Sequence, residues 1–208
     1  MFAPKTRYVS QKGVRKPRPE PFTRDEMRAI LGQYPTNTPN GIRNKTLIIF
    51  LYRAAARIGC TLRMMPGDID WTHSCIRIYH DKGCKTRSIT LDNRTMDYMR
   101  LWADNRESLD IGDDKPFFCA YVGDAKGKAM TEDSVLHKFR TKCRLAGITR
   151  RVTLHLLRHT GASELLEEGF DIPTISRVLG HACVATTFAY LHNLRPDLTN
   201  ARLAGREW

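Results

Sequence analysis

The chain has 208 residues, 41% hydrophobic and 27% charged, an ordinary balance for a soluble globular protein with one sizeable domain or two small ones. Its 34 Lys and Arg against 22 Asp and Glu leave a formal net charge of +12, which favours a polyanion such as nucleic acid without separating it from an anionic membrane or plain solubility. No run reaches the roughly 20 apolar residues of a bilayer span, and the amino terminus lacks the apolar stretch of a signal peptide, so a cytoplasmic protein with no membrane partner is expected.

Residues 1–20 carry six basic side chains and three prolines, and are expected to form a flexible basic arm ahead of a folded domain over 21–194. Thr23 and Glu26 make a capping box, followed by Met27, Ile30 and Leu31 at helical spacing, so a helix is expected over about 23–33. Residues 42–58 read as a buried apolar helix ending near Gly59. The runs "CIRIYH" and "RSITL" flank "DKGCKT" and predict a β-hairpin with Gly83 in its turn.

Asp92 caps a helix through Leu101 and beyond, "KPFFCAY" suggests a short extended piece, and Thr131 caps a helix running to Gly147. Thr153 starts another that Gly169 ends, and Asp171 with Pro173 starts a short one that stops at Gly180. Helix is expected on to about Leu191, with Val184, Phe188 and Leu191 in the core, and Pro196 opens a tail over 195–208. Many helices and one small antiparallel sheet make an α+β, mainly helical domain. The six cysteines are scattered, with no CxxC pair and no zinc spacing, so unpaired thiols and no metal site are expected.

Several polar residues have ordinary readings when taken singly. His155 and Arg158 stand three apart on one predicted helix face and could be satisfied locally. Arg57, in the predicted 42–58 helix, wants an anion or a carboxylate, for which Asp68 and Asp70 are the plain candidates. Lys82 sits at a hairpin tip, where lysines are common. His181 follows "LG" and precedes Tyr190 by nine residues.

Together, Arg57, Lys82, His155, Arg158, His181 and Tyr190 suit one task. Two guanidiniums grip phosphodiester oxygens bidentately, two imidazoles move or donate protons, a lysine protonates a leaving alkoxide, and a tyrosine attacks phosphorus. In order and spacing, "ARIGCTLRMMPGDIDW", "DKGCKTRSITL", "HLLR" and "LGHACVATTFAY" resemble the boxes of the tyrosine recombinase family, the phage-integrase type. The resemblance runs from about Pro21 to Leu198 and implies the catalytic-domain fold shared with type IB topoisomerases.

It also implies a site-specific recombinase in which Tyr190 forms a 3′-phosphotyrosyl link and frees a 5′-hydroxyl. Arg57 and Arg158 would stabilise the phosphorane, His155 would act as general base or acid, His181 as phosphate donor and Lys82 as general acid. No cofactor or metal is implied, because two transesterifications conserve bond energy. The implied partners are double-stranded DNA, a tetramer of the chain on DNA whose tail docks on a neighbouring protomer, and accessory DNA-bending factors.

The sequence departs from the family in three places. Cys60 stands where many relatives carry an acid, three positions after Arg57. Lys85 competes with Lys82 for the hairpin role, and Lys82 fits the Lys-Gly-x-Lys pattern better. Residues 1–22 are too short for the family's separate core-binding domain, so the chain is read as a catalytic domain alone or a minimal recombinase. Relaxation of supercoils in the manner of a type IB topoisomerase, and DNA binding without cleavage by a decayed integrase, are the alternatives. A helix-turn-helix regulator would not explain Arg57, Lys82 and Tyr190 at these spacings.

Overall fold

The computed structural model describes residues 20–79, 86–181, 183–185 and 187. Outside that range lie most of the expected basic arm, the hairpin turn with Lys82, Gly83 and Lys85, and the chain from Phe188 onward, including Tyr190, Leu191 and the expected tail. The described elements are α1 (Arg24–Gly32), α2 (Pro39–Arg53), α3 (Ile58–Leu62), β1 (Ile69–Asp70), β2 (Cys75–Ile78), β3 (Arg87–Thr90), α4 (Asn93–Ser108), α5 (Glu132–Leu145), α6 (Leu154–Glu167) and α7 (Ile172–Leu179). The α+β, mainly helical class holds.

Helix starts follow the capping chemistry. Thr23 and Glu26 form the reciprocal box of α1, and the side chains of Asp92, Thr131 and Asp171 accept backbone N–H groups at the starts of α4, α5 and α7. Thr153 precedes α6 but makes no side-chain cap bond.

The central helix differs from expectation. α2 begins at Pro39 and ends at Arg53, and the chain turns through Ala55 at a φ of 45° before α3 begins. Apolar composition alone could not reveal that break, because the alanines are good helix formers and the left-handed residue carries no glycine signal. Arg57 therefore stands at the N-cap position of α3 rather than inside a helix, and Gly59 lies within α3 rather than ending α2.

α2 packs against α4 and α6, with Leu47, Ile48, Phe50 and Leu51 buried. The three strands form an antiparallel sheet in the order β1-β2-β3, with Ile76 opposite Ile89 and Ile78 opposite Arg87. Ile76, Ile78 and Ile89 face the core. "KPFFCAY" forms no strand, only a single bridge between Cys119 and Ala129. A second, smaller cluster of Ala55, Ala162, Ile175 and Leu179 seats α7 on α6.

Val184 is exposed rather than core, because it sits in the first turn of the short helical piece after α7. Among the described residues no helix is long and apolar enough to cross a membrane, and five cysteines are free thiols.

α6 approaches α2 tightly at Gly161, where a Cβ would lie 2.1 Å from the Tyr52 carbonyl oxygen. Backbone cannot yield there as a flexible side chain would. Gly161→Ala is expected to cost about 1–3 kcal/mol as an overpacked contact, lowering the melting temperature by roughly 2–4 °C per kcal/mol in a chain of this size. Calorimetry checks this, and an unchanged melting point would mean that the two helices part without cost.

Candidate active site

Arg158 lies on the face of α6 turned toward both α2 and α7, and its side chain is 1% exposed. A guanidinium buried so deeply needs acceptors for its donors. Its Nη1 donates to the Ala55 carbonyl at 2.5 Å and its Nη2 to the Leu179 carbonyl at 2.7 Å. The Leu179 carbonyl lies in the last turn of α7 and the Ala55 carbonyl just past α2, where orphan acceptors carry partial negative charge. The left-handed Ala55 turns its carbonyl to Arg158 at the point where α2 stops.

α7 ends in a Schellman motif. Gly180 takes a left-handed φ of 65°, its N–H bonds the Arg177 carbonyl, and the His181 N–H bonds the Ser176 carbonyl at 3.1 Å. That reversal carries the His181 ring to Arg158, with Nη2 and Nε2 3.2 Å apart. A guanidinium has no lone pair to offer, so Nε2 accepts and the proton of the neutral ring sits on Nδ1. Nδ1 accordingly donates to the Thr187 hydroxyl at 2.8 Å, and Thr187 is fully buried. His181 is therefore an acceptor at the atom nearest Arg158.

His155, at the start of α6, and Arg57, at the N-cap of α3, line one cavity of about 290 Å³ with Ala56, Gly59, Cys60 and Glu132. Both are exposed, in contrast to Arg158. Asp68 and Asp70 are engaged locally, Asp68 with the Met65 N–H and Asp70 with His73. Cys60 is buried, with the Arg63 Nη2 3.9 Å from its sulfur. The structure thus brings Arg57 to His155, and Arg158 to His181; Lys82 and Tyr190 lie outside the described residues.

Desolvation and neighbouring positive charge act in the same direction here. Burial lowers the pKa of His181 to about 4, and Arg158, Arg57 and Arg87 push the same way. Desolvation lowers His155, again reinforced by Arg158 and Arg57. His159, stacked edge-on against His155 at 4.5 Å between ring centroids, is lowered to about 4 by burial. Thr160 plays a structural part, accepting from the Phe22 N–H and donating to the Leu156 carbonyl. Among the described residues no group of three or more His, Cys, Asp or Glu is placed to hold a metal ion.

Two participants escaped the sequence reading. Thr187 was legible only as part of "TT", since its partner is six residues away across a helix end. Arg87 carried a better signal. In "RSITL" the inward positions are Arg87, Ile89 and Leu91, and an arginine in the inward register of a half-buried strand is out of place.

The histidine shifts set a pH dependence. Each ring is neutral when folded and titrates near the ordinary histidine value of about 6.5 when unfolded. The unfolded chain therefore takes up protons first, and stability present above about pH 6.5 is lost as pH falls toward 4, the folded value of His159 and His181. The melting temperature should decline across that window, and a His159→Asn/His181→Asn double variant should show a flatter decline. Equal slopes would assign the acid sensitivity to other groups.

The chain matches the phage integrase family over residues 20–195. It is 29% identical over 182 residues to tyrosine recombinase XerC of Chlamydia caviae, covering 86% of this chain and 57% of the relative. It is also 29% identical over 194 residues to tyrosine recombinase XerA of Thermococcus onnurineus, covering 91% and 65%. The chain thus spans about three-fifths of the length of these relatives. A crystal structure of XerA recombinase superposes with a TM-score of 0.76 at 26% identity, covering 91% of this chain and 66% of that one. A XerH recombinase in a post-cleavage complex with its difH substrate has the same fold, with a TM-score of 0.72 at 23% identity. This chain belongs to the phage integrase family of tyrosine recombinases.

Proposed function

We propose that this chain is a site-specific recombinase that cuts and rejoins DNA strands through a covalent 3′-phosphotyrosine intermediate. The observation that carries the reading is the convergence of Arg158 and His181 at the end of α7, beside the cavity shared by Arg57 and His155, in a chain of this family. A net charge of +12 suits a DNA partner.

In this reading the Tyr190 hydroxyl attacks a phosphodiester. A P–O bond to tyrosine forms, the P–O5′ bond breaks, and the leaving 5′ oxygen takes a proton from Lys82. Arg57 and Arg158 stabilise the charge that builds on the equatorial oxygens. His155, exposed beside Arg57, serves as general base or acid. His181 donates to the phosphate once that anion raises its pKa and Nε2 acquires a proton, the reverse of its role in the DNA-free chain. Arg158 has a further duty as a tether, since its two Nη groups already hold Ala55 and Leu179.

The chain acts in the cytoplasm as a tetramer on two duplexes, with residues 195–208 docking on a neighbouring protomer and DNA-bending factors assisting. The basic arm over 1–20 adds phosphate contacts that hold the domain, over 21–194, on the duplex.

Incubation with nicked suicide duplexes drawn from a random library should trap a covalent protein–DNA adduct, and sequencing the captured DNA identifies the target. Tyr190→Phe should give no adduct, and Arg57→Ala should slow adduct formation on the order of 100-fold or more. An adduct that persists in Tyr190→Phe would refute the assignment of the nucleophile.

A further inference from the structure

Arg87 is the first residue of β3, paired with Ile78, and strand alternation turns it inward with Ile89. Its Nη1 donates to the Val178 carbonyl in the last turn of α7. That carbonyl immediately precedes Leu179, whose own carbonyl is held by Arg158. Two arginines from different elements thus grip adjacent peptide groups at the end of one helix.

The rest of the Arg87 guanidinium makes no hydrogen bond among the described residues, and its Nε and Nη2 are both buried. These two nitrogens form one edge of the planar group, with parallel N–H bonds spaced to meet two oxygens of a single phosphate or carboxylate. Native proteins seldom leave even one such donor unmet in the interior. Here two lie side by side, buried and unmet, on the edge suited to a bidentate anion.

The surroundings favour a phosphate. Burial lowers the Arg87 pKa to about 9, and the charges of Arg158 and Arg57 act in the same direction. Among the described residues no carboxylate forms an ion pair with Arg87. A third guanidinium held near two others, without an acid of its own, is stabilised by an anion brought from outside.

We propose that Arg87 is a third arginine of the DNA-phosphate site, its Nη1 fixed on Val178 and its Nε/Nη2 edge receiving two oxygens of one backbone phosphate. The inference rests on the DNA-binding part of the function proposed above and not on cleavage. Water reaches neither nitrogen in the DNA-free chain, so the contact forms with a shift of the side chains around the edge as DNA docks. Arg87 then links phosphate occupancy to the turn that carries His181.

The test is binding of a mixed-sequence duplex of about 30 base pairs, followed by fluorescence anisotropy from about 50 to 200 mM salt, a range over which phosphate contacts weaken steeply. Arg87→Gln should reduce the slope of log affinity against log salt by about 0.9, the value of one lost phosphate contact. Arg87→Lys, which keeps the charge and loses the fork, should restore most of the slope while binding more weakly than the native chain.

A folded Arg87→Gln with the native slope overturns the proposal, because a purely structural role would weaken binding without altering its salt dependence. Should Arg87→Gln not fold, the native chain gives the answer through the Arg87 Nε–H resonance, assigned by its absence in Arg87→Lys. That resonance should move on addition of the duplex, and an unmoved signal overturns the proposal. A native chain with no affinity for duplex DNA overturns both this inference and the function it rests on. Native binding without a Tyr190 adduct counts against the cleavage reading alone.

Discussion

The buried guanidinium of Arg158 is the constraint on which the rest of the site depends. A permanent charge placed at 1% exposure costs several kcal/mol of lost hydration unless its donors are met. They are met by groups from two segments: the Ala55 carbonyl after α2, and, from the turn that ends α7, the Leu179 carbonyl and the His181 ring. Each has to be delivered to one point, so one side chain is tied to where α2 and α7 stop and how the chain turns after α7. The Leu-Gly-His run is the local solution. Leu179 supplies a buried side chain and an acceptor, Gly180 supplies the left-handed turn, and His181 closes over the guanidinium.

Close packing sets the other boundary. α6 can present Arg158 to Ala55 only because Gly161 lets its backbone reach the Tyr52 carbonyl region of α2. Ala55 sits at a positive φ, a conformation that costs a non-glycine residue about 1–2 kcal/mol and persists only where surrounding contacts hold it. Its carbonyl bond to Arg158 and its packing in the small cluster with Ala162, Ile175 and Leu179 provide that hold. Local strain and the buried charge are thus parts of one arrangement.

Unbalanced positive charge gives the site its chemical character. His155, His159 and His181 are all held toward the neutral form by partial desolvation of their rings and by neighbouring positive charge. An anion entering such a cluster would reverse that bias, raising the histidine pKa values and converting acceptors into donors. The tautomer of His181 follows from Arg158 being unable to accept.

Much of this was legible in the sequence, for physical reasons that are local. Capping boxes, turn glycines and strand alternation each involve residues within a few positions, so α1, α4, α5, α7 and the pairing of β2 with β3 could be read directly. The motif spacings likewise carried the family, because residue type and interval together restrict the possibilities more than either does alone. Tertiary structure alone decided that α2 ends at Arg53, that Arg158 is buried while His155 is exposed, that Val184 faces solvent, and that Arg87 reaches the end of α7. Those outcomes depend on contacts spanning tens of residues, such as the 103 positions between Ala55 and Arg158 and the 91 between Arg87 and Val178. No local pattern encodes them, because a buried charge chooses its partners only once the chain has brought them within reach.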